Sequence, residues 1–501
     1  MSTPAHQPRT YGLFRRPISA GILGLGTAGT VGLFAGLLLM IIGFMAGNLI
    51  FGIVTFLVTG IGVIAVTRRD RHNRNVLDRI STRGGYMRGK LTGRLHYRSG
   101  PTGRIASRKF QLPGLSAQSR LSNHRDGLGR DFAVIEHPKA QTYTVVIETE
   151  PDGAALVDVE QVDQWVAQWG LWLSNLGDEP GLCAASVTVE TSPDPGHRLR
   201  MEVEANLDSS APELAQDLLR DAVREFPAGS ASIRAYIALT YLAKPRERSR
   251  RRDRESFAQE IATRLPGLTQ RLVDTGAGGG ARPLDQQGLC EVIRTAYDPA
   301  AAPLFAEARA NGEVVDLEWE DVGPTAHEVS WTEYAHESAT SVSYVMSAPP
   351  RGAVQSRVLD ALIAPSAKLN RKRVTLLYHP IDPGVAAAKV EADLRNADFA
   401  VNSSKRPSQQ ALTAQRAARA IAQEEASGAG LVNFGMIITG TILGDEDLHE
   451  ANVTLENLSA GARLLVRVAH GTQDTTFAAG LPLGIDLSRH IGGAKALMAK
   501  L

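Results

Sequence analysis

Among side chains that could do chemistry, the densest group is His327, Glu328, Glu333, His336 and Glu337. A zinc hydrolase would need His-Glu-x-x-His on one helix face, but Trp331 stands where the second histidine would fall. The group therefore reads as a solvated strand edge or loop. Asp445-Glu446-Asp447 lacks the alternating oxygen ligands of a calcium loop and reads as the acidic start of a helix. No Gly-Lys-Ser/Thr phosphate cradle occurs, since Gly89-Lys90 is followed by Leu91. The letters of a dinucleotide fingerprint appear at Gly24-Leu25-Gly26-Thr27-Ala28-Gly29, inside an apolar run and after no strand. Neither a nucleophile elbow nor a Cys/His pair is present. Cys183 and Cys290 have no metal-site spacing and read as buried free thiols in a reducing compartment. The expectation is a protein that is not an enzyme, with no cofactor and no metal.

The elements that would position any site begin with a run from Pro17 to Val66 free of Asp, Glu, Lys, Arg and His. That is twice what one bilayer crossing needs, at roughly 20 apolar residues per ~30 Å. It predicts two transmembrane helices, about 22–44 and 49–66, joined at Met45-Ala46-Gly47-Asn48. Arg15 and Arg16 precede the first, and Arg68, Arg69, Arg71 and Arg74 follow the second, which by the positive-inside rule places both termini in the cytoplasm. Ala28, Gly32 and Gly36 recur every fourth residue, the small-residue spacing of a helix-packing face. A cleaved signal peptide is the rival, opposed by the length of the run and the basic segment that follows. The fold class expected is a membrane-anchored α+β protein, a two-helix transmembrane hairpin in the cell membrane followed by a cytoplasmic body of ferredoxin-like α/β layers.

The chain carries 54 Lys and Arg against 53 Asp and Glu, a balance that hides an asymmetry. Between Arg68 and Arg130 there are 16 basic and 3 acidic residues. Short strands are expected there over Tyr86–Gln111, facing lipid headgroups, nucleic acid or water alone. The lead, 1–16, carries Tyr11-Gly12-Leu13-Phe14 before Arg15-Arg16, a segment suited to a membrane interface. Beyond the hairpin (17–67) and the basic region (68–130), a first α/β domain is expected over 131–275, a linker region over 276–325 and a second α/β domain over 326–501. In the first domain a hairpin joins Phe132–Glu136 to Tyr143–Glu148. A helix from Val159 to Leu176 stacks Trp165, Trp169 and Trp172 on one face, and further strands are predicted at Cys183–Glu190, Arg200–Ala205 and Ser230–Leu242. Arg248, Arg250, Arg251, Arg252 and Arg254 open the next helix as a solvated face. The second half repeats the style of the first, with strands at Ser338–Met346, Arg373–Tyr378 and Leu431–Leu443, and helices at Arg351–Ile363, Pro383–Ala397 and Pro407–Ala426.

Tyr11-Gly12-Leu13-Phe14-Arg15-Arg16-Pro17, Leu112-Pro113-Gly114-Leu115, Asp126-Gly127-Leu128-Gly129 and the segment Phe477 to Gly484 (FAAGLPLG) occur in an order that resembles a family. This is the actinobacterial integral membrane protein of type IV secretion-like conjugative elements, which joins a PrgI-type membrane module to the non-ATPase N-terminal domain of the conjugation ATPase. FAAGLPLG is similar to the segment that in those ATPases precedes the nucleotide domain. The resemblance implies a non-catalytic membrane scaffold of a conjugative transfer machine, docking a separate ATPase and contacting other secretion-channel subunits. Self-association and direct nucleic-acid contact stay open. The alternatives are a core membrane component of a type VII secretion system and a membrane-tethered enzyme built on the His327–Glu337 group.

Overall fold

The structure is a computed structural model that describes all residues except 1–8, 13, 15–25, 48, 69, 73, 104–108, 152, 154–156, 194–196, 209, 226–230, 245–250, 314, 351, 367, 404, 445 and 491–501. Two apolar helices come early, α1 (Gly26–Met45) and α2 (Leu49–Thr67), after a short strand β1 (Thr10–Tyr11). Among the described residues no helix is long and apolar enough to cross a membrane. The two-span anchor, the membrane-anchored fold class and the cell-membrane assignment are corrected accordingly.

The two helices do pack on each other, through part of the expected small-residue face. A Cβ on Gly36 would strike the Thr59 side chain, and one on Gly43 would lie 2.7 Å from the Phe51 ring. Gly32 has nothing within 4 Å of that position, and the Ala28 side chain lies outside the described residues. The contact therefore recurs at a seven-residue spacing instead of every fourth residue.

The lead does not lie free. Tyr11 pairs with Val354 and Thr10 with Gln355 of β12 (Val354–Gln355), while the Phe14 ring sits 5.7 Å from Phe434 edge to face. These contacts replace the interfacial role expected for Tyr11–Phe14. After α2 the chain breaks and restarts as α3 (Val76–Leu91), opened by a reciprocal capping box between Asn75 and Asp78. Gly84 and Gly85, a pair that by type favours ending a helix, lie inside it. Among the described residues, the strands expected over Tyr86–Gln111 reduce to β2 (His96–Arg98).

The body is built on one 13-stranded sheet in which every described pairing is antiparallel. Its first half contains β3 (Arg120–Arg125), β4 (Asp131–His137), β5 (Thr142–Thr149), α4 (Val159–Asn175), β6 (Leu182–Pro193), α5 (His197–Asn206) and α6 (Glu213–Glu225). It continues with β7 (Ala231–Leu242), α7 (Arg254–Gln270), β8 (Arg282–Pro283) and α8 (Gln286–Tyr297), and α9 (Ala302–Ala310) leads out. The second half contains β9 (Ala326–Val329), β10 (Tyr334–His336), β11 (Ala339–Ala348), β12, α10 (Asp360–Ile363) and β13 (Arg371–Pro380). Then come α11 (Pro383–Asn402), α12 (Gln409–Ala426), β14 (Val432–Leu443), α13 (Leu448–Gly461), β15 (Leu465–Val468), α14 (Gln473–Ala479) and α15 (Leu487–His490).

The strand order β9-β10-β11-β14-β13-β6-β7-β5-β4-β3 is a palindrome of the two halves, with β8 beside β5 and β15 beside β11 as further mates. A pseudo-twofold axis passes between β6 and β13 at the paired residues Thr188 and Thr375. The registers extend this relation outward. β7 and β14 superimpose end to end, each twelve residues long with the same sequence of half-buried and buried positions. Read through the same registers, the pair Thr144–Thr240 becomes Ser341–Thr441, and His137 becomes His336. The halves thus join edge to edge in one sheet, where two α/β domains were expected over 131–275 and 326–501.

One face of the first half is covered by α4 and α7, with Trp172, Leu176, Phe257, Ile261 and Leu265 packed on Val145, Ile147, Ile237 and Leu239. The mate of that face lies under α10 and α13, where Leu362 and Leu455 meet Val342, Val374 and Ile438. Across the opposite face a single core spans both halves, including Ile135, Val146, Ile293, Tyr297, Tyr334 and Phe477. The region 276–325, expected as a linker, contributes α8 and the buried Trp319 and Val322 to that core. Arg200–Ala205, expected as a strand, lies in α5. The helix expected over Arg351–Ile363 forms only as α10, with β12 before it.

Candidate functional site

Strands alternate their side chains between faces, so the core-spanning face of β6 presents Ser186, Thr188 and Glu190, and that of β13 presents Arg371, Arg373 and Thr375. A row of hydroxyls crosses this face. Thr144 meets Thr240 at 3.1 Å, Thr188 meets Thr375 at 3.1 Å, Ser343 meets Thr439 at 3.0 Å and Ser341 meets Thr441 at 2.8 Å. All eight are buried, and buried hydroxyls need partners.

The segment from Gln473 to Asp486 supplies many of them. Gly480 O, above the pseudo-axis, accepts from Thr375 Oγ1 at 2.7 Å and Thr188 Oγ1 at 3.3 Å. Gly484 O accepts from Thr240 Oγ1 at 3.2 Å. Gln473 grips β11 at both ends of its amide, accepting from Ser343 N and donating to Ser343 O. His137 Nε2 lies 2.7 Å from Leu483 O. Gly484 has φ +67° and its Cα faces the Thr144 and Thr240 hydroxyls so closely that a Cβ would collide with both. At the end of the segment, Asp486 is held by Ser488 N, Ser488 Oγ and His379 Nε2, and its carboxyl is pushed down, burial being outweighed by these hydrogen bonds.

Beside the axis lies a buried charge cluster. Glu190 is ion-paired with Arg371 and lies 3.2 Å from Arg373 Nε. Arg373 is 2% exposed and its guanidinium carbon stands 4.7 Å over the Phe477 ring. Burial pushes its pKa down to about 10, with Glu190 opposing. Lys372 points to the other face, donates to Ala364 O, and is pushed down to about 8 by burial.

The structure disperses the His/carboxylate group. His327 and His336 are cross-strand partners, both buried, so they do not form a solvated edge. His327 stacks on Tyr97 at 5.0 Å and contacts Tyr334 OH at 3.1 Å. His336 lies 2.6 Å from Tyr297 O and 2.8 Å from Ser341 Oγ. Burial pushes both imidazoles down, to about 4 for His327 and about 3 for His336. Glu337 instead accepts from Thr325 and Arg294, and Glu328 faces His96. Among the described residues no group of three His, Cys, Asp or Glu is placed to hold a metal ion. Burial raises the thiols of Cys183 and Cys290 to about 11 and about 12, so neither is an activated nucleophile.

Of the basic residues singled out as anchors, Arg15, Arg16 and Arg69 lie outside the described residues. Arg68 is exposed. Arg74 donates to Asp78 O and Thr82 Oγ1, and Arg71 Nε to His72 Nε2. Lys109 bridges Glu318 and Glu320, while Arg125 pairs with Asp131 and Arg130 with Asp126. Of the arginine cluster expected as a solvated face, Arg248 and Arg250 lie outside the described residues. Arg252 is largely covered, donating to Leu242 O and pairing with Glu260. Asp445 is likewise outside, and Asp447 caps α13 through His449 N.

Sequence reasoning did not single out Arg371, Arg373 and Glu190. The available signal was the run Arg371-Lys372-Arg373 leading without a turn into Val374-Thr375-Leu376-Leu377, because charges contiguous with a buried strand must themselves be buried. An open groove of about 480 Å³ lies between Leu112, Ser116, Arg120, Pro138 and Trp319 at the β3 edge.

Fold and site together define a duplicated, antiparallel α/β protein in which many of the described buried polar groups bind its own backbone or one another, and among the described residues no metal set is gathered. Residues 18–78 match a family described as a domain of unknown function (DUF8461). No curated protein matches the chain.

Proposed function

We propose that the protein is a non-catalytic scaffold of a type IV secretion-like transfer machine and docks a separate conjugation-type ATPase. The observation that carries the reading is the seat of FAAGLPLG, the segment similar to the one preceding the nucleotide domain in those ATPases. Phe477 to Gly484 is built into the seam of the duplicated sheet by Thr188, Thr375, Thr240 and His137, a firm platform from which a neighbouring domain can be oriented. A second support is the pair of helical insertions at matching places in the two halves. α6 turns Leu214 (73% exposed) and Leu218 (63%) outward, and α11 turns Phe399 (75%) outward. Exposed apolar side chains grouped on one helix face mark protein contacts more often than single ones do.

The test is retention of a conjugation-type ATPase from the same cells by the purified full-length protein. Replacing Leu214 and Leu218 by Asp is expected to weaken retention about tenfold, the loss of roughly 1.4 kcal/mol. Failure to retain any such ATPase, or ATP hydrolysis by the chain alone, overturns the reading.

A further inference from the structure

The two halves of the sheet provide an internal comparison at every position, and at one place they disagree. The registers that carry Thr188 onto Thr375 carry Ala184-Ala185-Ser186 onto Arg371-Lys372-Arg373, and Glu190 onto Leu377. Ala184, Ala185 and Ser186 are as buried as their mates. One side of the axis therefore packs with small uncharged side chains where the other buries two guanidinium groups on the same face. The fold does not require charge there, and buried charge is costly without full pairing.

The pairing is incomplete. Two arginines share one carboxylate, that of Glu190. Arg373 Nε lies near it without hydrogen-bond alignment, and neither Arg373 terminal nitrogen nor Arg371 Nε has a hydrogen-bond partner among the described residues. The guanidinium is fixed from one side by the Phe477 ring, a cation–π contact that holds its plane and leaves its donor edge unmatched. A planar pair of N–H donors held in this way matches two oxygens of one small anion.

We propose that Arg371 and Arg373 form a binding site for a small oxyanion of the phosphate or sulfate type, seated beside the pseudo-twofold axis and closed over by the Phe477 segment. The local formal charge of two arginines against Glu190 leaves one positive charge for it to balance. Because Phe477 belongs to the segment that crosses the seam, the anion would link that segment to β13 and raise the stability of the whole sheet. The proposal stands on this cluster alone and does not depend on the scaffold reading.

Thermal unfolding of the full chain tests it, with inorganic phosphate varied at constant ionic strength against chloride. Ligand binding to the folded state alone should raise Tm progressively with log phosphate once its concentration exceeds Kd. Arg373→Met, close in length and uncharged, should remove that dependence while Arg395→Met, at an exposed site, keeps it. If Arg373→Met does not fold, 31P line broadening of inorganic phosphate by the wild-type chain that persists against chloride at constant ionic strength supports the site. A wild-type Tm indifferent to phosphate, no 31P broadening, or an Arg373→Met variant with an undiminished phosphate dependence overturns it.

Discussion

Three deeply buried histidines contribute to the acid behaviour of the body. His137, His327 and His336 are buried on the core-spanning face, and burial pushes their pKa from the usual 6.5 to about 4, about 4 and about 3. The folded chain therefore favours the neutral ring, and the unfolded chain binds more protons at every pH between those values and 6.5. Stability from these groups is complete above pH 6.5 and falls as pH drops through that window. Each can contribute a slope of up to about 1.4 kcal/mol per pH unit. Urea unfolding at pH 7.5 and 5.5 should show a clear loss at the lower pH, and His137→Gln with His336→Gln should flatten it. Equal stability at the two values would contradict the assignment. The burial of His327 and His336 was not legible from the sequence, where their carboxylate neighbours suggested a wet edge. Alternation on β9 and β10 sends Glu328 outward and His327 inward, and only the pairing partner reveals which face is the core.

At the scale of elements, the segment Gln473–Asp486 is the most constrained stretch. Gly484→Ala would combine a left-handed backbone with a Cβ inside the Thr144 and Thr240 hydroxyl pair. It is expected to cost roughly 2–4 kcal/mol by strain and overpacking, read as a lower urea midpoint with an unchanged slope. A loss under 1 kcal/mol would show that the segment can shift away from the sheet. Elements of strong periodicity were legible: Tyr143–Glu148 lies within β5, Val159–Leu176 becomes α4 with one residue's difference, and Leu431–Leu443 becomes β14. Arg200–Ala205 misled because Met201, Val203 and Ala205 alternate as a strand would, whereas the residues form α5. The seat of FAAGLPLG was not legible, since Gly and Pro signal turns whether a segment is exposed or clamped in a core. The apolar helices misled on their destination more than on their existence, since α1 and α2 form a paired hairpin close to the expected bounds.

For the whole molecule, the β6–β13 ladder and the shared core make the two halves one structural unit. Calorimetry should give a single body transition whose calorimetric and van't Hoff enthalpies agree. Two resolved body transitions would mean that the seam is weaker than its continuous pairing indicates. The sequence hinted at the duplication only through the matching style of the halves. The correspondence resides in strand order and register, which side-chain identity conserves at a few points such as Thr188 and Thr375.

The Gly480 carbonyl has one more consequence. It sits where the symmetry of the sheet would demand two equivalent acceptors, and it accepts a hydrogen bond from each of the two related threonines. A lone oxygen can serve both sides of a dyad, but two crossing segments cannot occupy that place together. A pair of identical half-length chains, each bearing such a segment, would compete for one seat and leave the loser's apolar residues uncovered. Covalent fusion removes the contest by giving the paired halves a single segment to share.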